Sequence, residues 1–408
     1  MTVIATFVVL VFAYSLVSAR LERTVLTAPI VFTLAGMGVL LALPALRDRD
    51  LQGDREILLF AAEAGLVLLL FTDASRTDLR LLRSIRALPA RLLSVGLLLT
   101  ILLGALCARM FFPSLSIWEA GILAAILAPT DAGLGQIIVS SPRVPIRIRQ
   151  ALNVEAGLND GLSVPFLLFF VALAEARASG GAAHLDHYVL AQLGYGTLVG
   201  AAVGLGGGWL MGLASRRASM AASFRQISVV VLPVACALVS NAVGASMFIA
   251  AFVAGLCVQV GFAEAGQHSL EFTENWGQVL NLSVFFLFGL LVARSWPQFT
   301  PVMLLYGVFS LTAARMLPVA AALIGTGLDA ATVAFMGWFG PRGLASIVLG
   351  LVYLERNAHL PGETTIRLTV MVTVALSVFA HGLTAKPGIE LYAARHAPGV
   401  AEHGAPEI

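Results

Sequence analysis

The chain has 408 residues, 59% hydrophobic and only 12% charged, with a formal net charge of +2. Soluble domains carry about 25% charged residues, so this composition, with a mean hydropathy of +0.91, excludes a soluble enzyme and indicates an all-α polytopic membrane protein. No basic tract supports a nucleic-acid partner, and the seven histidines and three cysteines lack metal-ligand spacing, so no cofactor is expected.

Apolar runs long enough to cross hydrocarbon recur along the chain. The pattern predicts thirteen spans, roughly 2–19, 27–46, 56–75, 88–110, 117–139, 151–174, 188–213, 226–243, 245–262, 271–293, 301–324, 331–353 and 364–385. The first run lacks a positive leading region and a small-residue cleavage site, so it is expected to be a retained helix. Fifteen Arg and Lys residues fall in loops on one side of these spans and eight on the other. The richer side includes Arg76, Arg80, Arg83, Arg86 and Arg91, and the excess predicts an outside N-terminus and a cytoplasmic C-terminus. Arg315 and Arg342 fall inside spans.

In chain order, span 3 carries Glu63 and Asp73, with Asp73 near the Arg-rich loop and a candidate for either the interface or an ion path. Span 5 is interrupted at Ala128-Pro129-Thr130-Asp131. Proline removes a backbone donor and clashes with the preceding turn, leaving carbonyls and half-helix ends for an ion. Span 6 reads Glu155-Ala156-Gly157-Leu158-Asn159-Asp160-Gly161-Leu162-Ser163. Glu155 and Asn159 share a helix face, while Asp160 is turned about 100° away, within reach of Asp131. A carboxylate in hydrocarbon is costly and marks a functional site by default. Span 7 holds Gly196, Gly200, Gly204, Gly208 and Gly212 in steps of four, a close-packing stripe. Arg315 in span 11 requires a permanent partner, for which Glu155 is the choice. Span 12 is interrupted at Gly340-Pro341-Arg342-Gly343, where Arg342 is expected to neutralise half-helix ends or face a cavity. Asn241 and His381 read as interhelical hydrogen-bonders. Spans 1–6 and 8–13 start on opposite sides, so if they are repeats they are inverted six-helix repeats, each broken in its fifth member. Paired broken helices of this kind point to a transporter site.

Ala128-Pro129-Thr130-Asp131, Glu155 with Leu158-Asn159-Asp160-Gly161, Arg315, Gly340-Pro341-Arg342-Gly343-Leu344-Ala345-Ser346 and His381-Gly382-Leu383-Thr384 together resemble the NhaP-like sodium/proton antiporters, over essentially the whole chain. The resemblance implies thirteen helices in two inverted repeats, with spans 5 and 12 broken and crossing. It implies scaffold helices in 1–87, core helices in 88–174, a linker helix and scaffold helices in 175–300, core helices in 301–388 and a short cytoplasmic tail in 389–408. It implies a homodimer in the bacterial plasma membrane. By motif, Asp160 looks like the cation- and proton-binding carboxylate, Asn159 its companion, Thr130 and Asp131 the first break's contribution, and Glu155–Arg315 a structural ion pair. Asp73, Ser163 and Arg342 are candidates for the ion path. Ala132 stands where the family usually has Pro, and Ala156 where it often has Ser.

One carboxylate that crosses the barrier only when holding a proton or a monovalent cation enforces exchange. The expected cargo is Na+, with K+ or Li+ as alternatives, against H+, and Asn before Asp160 predicts electroneutral exchange. The runner-up from another class is an intramembrane aspartyl protease using Asp131 and Asp160. Arg315 and the absence of a Gly-x-Gly-Asp motif weigh against it.

Overall fold

The computed structural model describes residues 2–21, 24–42, 52–76, 87–178, 190–265, 278–355 and 360–396. Among these, every regular element is helical. Helices α1 (Thr2–Leu21), α2 (Ala28–Ala42) and α3 (Gln52–Arg76) lead to α4, where Ala87–Arg91 passes through a π-helical turn at Leu92–Gly96 into Leu97–Phe111. Then come α5 (Ile117–Leu127), α6 (Ala132–Ser140) and α7 (Ile146–Ala178). Helix α8 opens as a π-turn at Leu190–Tyr195 and continues over Gly196–Arg216, followed by α9 (Ala222–Ala242), α10 (Met247–Gly261) and α11 (Gln278–Ser295). The chain closes with α12 (Pro301–Leu311), α13 (Ala313–Ala322), α14 (Ala330–Trp338), α15 (Leu344–Glu355) and α16 (Glu363–His396).

Eight helices among the described residues are long and apolar enough to cross a membrane. Large apolar side chains such as Phe12, Leu198, Trp209 and Leu305 point outward, while Asp131, Glu155, Asp160, Arg315 and Arg342 are buried. This is an integral membrane protein, with the hydrocarbon-facing surface apolar and the costly polar groups turned inward.

Local chemistry sets the helix ends. Ser116 and Glu119 form a reciprocal capping box at the start of α5. Thr300 and Asp329 cap α12 and α14 through the amides of Met303 and Thr332. The glycine stripe of α8 lies backbone to backbone on α10: a Cβ at Gly200, Gly204, Gly208 or Gly212 would strike the carbonyl of Ala250, Ala254, Val258 or Gly261 in turn. Close approach is the reason for these glycines.

One expectation needs correction, and one span has a feature that the sequence pattern did not predict. Span 11 forms over Pro301–Ala322. It is kinked at Thr312, whose φ of −104° and ψ of −91° leave the helical region. The Thr312 hydroxyl donates back to the Val308 carbonyl at 2.7 Å, a local bond that competes with the helix and bends it. Asn241 is exposed near the end of α9, and no interhelical hydrogen bond from its side chain occurs among the described residues. Span edges at 43–46, 188–189 and 271–277 lie outside the described residues.

Candidate functional site

Helices α5 and α6 are the halves of one interrupted span, and α14 and α15 the halves of another. The two interruptions meet. The Asp131 amide donates to the Pro341 carbonyl at 2.7 Å, so each unwound stretch satisfies part of the other's backbone. The Asp131 carboxylate then serves two half-helices together. Its Oδ1 accepts the Leu134 amide of α6 at 2.9 Å, and its Oδ2 accepts the Leu344 amide at the start of α15. Both half-helices point their positive ends at this carboxylate. Gly343 makes the approach feasible, because a Cβ there would collide with Asp131 Oδ2.

The negative ends are answered across the same crossing. Arg342 Nη1 donates to the carbonyls of Ala128 and Pro129, at 2.7 and 3.1 Å, where α5 ends. His381 Nε2 lies 2.9 Å from the Trp338 carbonyl at the end of α14. Ser377 Oγ accepts the Arg342 amide at 2.7 Å and meets His381 Nδ1 at 3.1 Å. His381 is thus the interhelical hydrogen-bonder expected, whereas Arg342, expected to neutralise the half-helix ends of its own break, instead serves the end of the opposite broken helix.

Helix α7 brings its polar face to this crossing. Asn159 Nδ2 donates to Thr130 Oγ1 at 2.6 Å. Arg315 Nη1 meets Glu155 Oε1 at 2.6 Å, with both side chains about 3% exposed, so the expected pair forms. The guanidinium lies where a Cβ on Gly340 would sit. Asp160 is buried, and its Oδ1 makes no hydrogen bond among the described residues. The carboxyls of Asp73 and Asp131 are within electrostatic range of Asp160. Asp73 itself packs against Gly157, its Cβ 3.5 Å from where that residue's Cβ would be. It therefore packs on α7 one turn before Asp160. The Ser163 hydroxyl donates to the Asp160 carbonyl at 2.9 Å, bonding back along its own helix. A small cavity is lined by Thr130, Asp131, Glu155 and Ala156 together with Val139 and Asn153.

A family model described as "Sodium/hydrogen exchanger, transmembrane" matches residues 7–390. The chain belongs to this sodium/hydrogen exchanger family. It is 27% identical over 328 residues, 79% of its length, to the K(+)/H(+) antiporter NhaP of Alkalimonas amylolytica, and covers 55% of that protein. It is 32% identical over 136 residues, 33% of its length, to the sodium, potassium, lithium and rubidium/H(+) antiporter of Bacillus subtilis, and covers 20% of it. The chain thus spans about half, or less, of the length of these relatives. Its fold matches the sodium proton antiporter MjNhaP1 of Methanocaldococcus jannaschii with a TM-score of 0.76 at 19% identity, covering 96% of this chain and 99% of that one.

Within this exchanger-family chain, three polar residues, two of them near the crossing, escaped the sequence reading. Glu119 is buried, and its Oε1 accepts the Gly362 amide at 2.7 Å, tying the start of α5 to the start of α16. Ser377 looks like any small residue in an apolar run. Asn281, on α11, lies beside Gly133 and Asp131; a lone amide in an apolar span is the signal that could have found it.

Proposed function

We propose that this chain is a secondary antiporter exchanging a monovalent cation, Na+ first among Na+, K+ and Li+, for H+ across the bacterial plasma membrane. The observation that carries the reading is the division of labour among the buried carboxylates. Glu155 is held by Arg315, and Asp131 is held by two half-helix amides. Asp160 keeps an oxygen that no described group occupies. The fixed carboxylates hold the architecture, and Asp160 takes the exchanged charge.

The chemistry follows from the cost of a bare carboxylate in a low-dielectric barrier. A proton on Asp160 removes the charge, and a monovalent cation on its oxygens compensates it. Either form can pass through the barrier, while the empty carboxylate stalls. Cation and proton compete for the same oxygens, so each displaces the other. In this reading Thr130, Asn159 and Asp131 complete the site, which is supported by the Asn159–Thr130 hydrogen bond and by the charge of Asp131 acting on Asp160.

The architecture proposed for this cycle has two inverted six-helix repeats among thirteen spans, with α5–α6 and α14–α15 as equivalent broken members. Residues 88–174 and 301–388 form a core that rocks against a scaffold of 1–87 and 175–300, with span 7 as linker and 389–408 as a tail. The scaffold forms a homodimer, and the N-terminus lies outside with the C-terminus in the cytoplasm. Alternating access moves the crossing past the scaffold. The names of the relatives support the cargo class: potassium for one, four alkali cations for another, and sodium for the protein of similar fold. The aspartyl protease reading loses support because Arg315 is buried within the same helical assembly as a permanent cation and because the chain belongs to a sodium/hydrogen exchanger family.

The test is proton flux in proteoliposomes carrying the purified chain, with Na+, K+ and Li+ added in turn under an imposed pH gradient. Cation-dependent proton movement with at least one of them is expected. Flux indifferent to all three would overturn the reading.

A further inference from the structure

Asn281 stands on α11, a helix locked against α2 by close backbone approach. A Cβ on Gly36 would strike the Phe286 carbonyl, and one on Gly289 the Thr33 carbonyl. The amide is therefore presented by a rigid support. It reaches the first break from outside the crossing. A Cβ at Gly133 would lie 3.0 Å from Asp131 Oδ1 and 3.1 Å from Asn281 Nδ2, so the carboxylate and the amide flank one point that only glycine leaves open.

Three buried side-chain oxygens around this break accept no hydrogen bond among the described residues: Asn159 Oδ1, Asp160 Oδ1 and Asn281 Oδ1. Asn159 has spent its nitrogen on Thr130. A buried acceptor left without a donor is costly and calls for a reason. Amide carbonyl oxygens are ligands for hard cations, replacing part of a hydration shell. A half-turn of the Asn281 amide exchanges nitrogen and oxygen, so one side chain can donate to Asp131 or present an oxygen to a cation beside it.

We propose that Asn281 is a cation ligand contributed by α11, supplying a neutral oxygen beside Asp131 and setting which alkali cation the site prefers. The proposal rests on the antiporter reading. Because α11 lies outside the crossing, this ligand is gained or lost as core and scaffold move, which couples ion occupancy to conformation.

The test measures Na+-, K+- and Li+-dependent proton flux in proteoliposomes for the unaltered chain, Asn281→Ser and Asn281→Ala. Alanine removes the oxygen, while serine keeps one at nearly the same size. Losing one oxygen from a charged ligand should raise the half-saturating cation concentration about tenfold in Asn281→Ala, more than it changes the maximal rate. Asn281→Ser should recover part of that loss, and the ratio of Na+ to K+ half-saturation should differ among the three proteins. Equal half-saturation and an unchanged cation order in both variants would overturn the assignment while leaving the antiporter reading intact. Absence of cation-dependent flux in the unaltered chain would overturn both. Should Asn281→Ala fail to reconstitute, Asn281→Ser against the unaltered chain decides: a changed cation order supports the role, and an unchanged order overturns it.

Discussion

At 2.6 Å, Arg315 and Glu155 form a contact that neither can give up alone. Breaking a buried pair by removing one partner costs about 3–5 kcal/mol, because an uncompensated charge remains. Arg315→Ala and Glu155→Ala should each lower thermal stability in detergent first, with activity lost as a consequence. The double variant leaves no orphan charge and should be less damaged than either single one. A double-mutant cycle on melting temperatures checks this; strictly additive losses would show that the pair is not coupled. Asp131 and Asp160 differ in kind. Asp131 is anchored by two backbone amides, while Asp160 is bordered by Asp73 and Asp131 and keeps an unengaged oxygen. Two aspartates in similar apolar runs therefore differ in hydrogen bonding because of what surrounds them.

At the scale of elements, the unit is the pair of interrupted spans and not either one alone. Four half-helix ends meet, and all but one are answered from another element or from the opposite break: Asp131 caps its own half-helix α6 and also the start of α15, while Arg342 and His381 answer the negative ends. Glycine is required where a carboxylate passes close to backbone. Gly343→Ala would put a methyl group on Asp131 Oδ2, and overpacking of this kind costs about 1–3 kcal/mol. The expected outcome is a lower melting temperature together with loss of exchange. Gly38→Ala in α2, where a Cβ meets nothing within 4 Å, should be neutral or stabilising by up to about 1 kcal/mol, since alanine is the better helix former. Thermal unfolding of both variants in detergent is the check. Much of this site was legible beforehand, because Pro129, Pro341 and the buried charges announce themselves in apolar runs. The partner of Arg342 was not legible. Its guanidinium serves the Ala128 carbonyl, 214 residues away in sequence, and no local pattern encodes such a contact. The kink at Thr312 was missed for a different reason: it arises from a side-chain hydroxyl in an otherwise apolar run, without proline or glycine at the break. Asn281 carried a signal, but its importance depends on Gly133 of another helix.

Charge balance in a low-dielectric barrier constrains the whole molecule. Asparagine, not a second aspartate, precedes Asp160, and the charges of Asp131, Glu155, Arg315 and Arg342 are each engaged with fixed partners. One charge should therefore be exchanged per cycle, one cation for one proton. Transport under a clamped membrane potential should carry no net current; a current scaling with flux would contradict this. Glycine-mediated contacts bring α8 and α10, and α2 and α11, backbone to backbone, and in the proposed cycle the helices around the crossing move against them. The central claim is that Asp160 alone carries the exchanged charge. The most direct measurement is cation-dependent proton flux in proteoliposomes for Asp160→Asn beside the unaltered chain, with both shown to be folded and monodisperse. Asp160→Asn keeps the shape and removes the titrating oxygen, so its flux should fall to that of protein-free liposomes. Exchange at the unaltered rate would contradict the account.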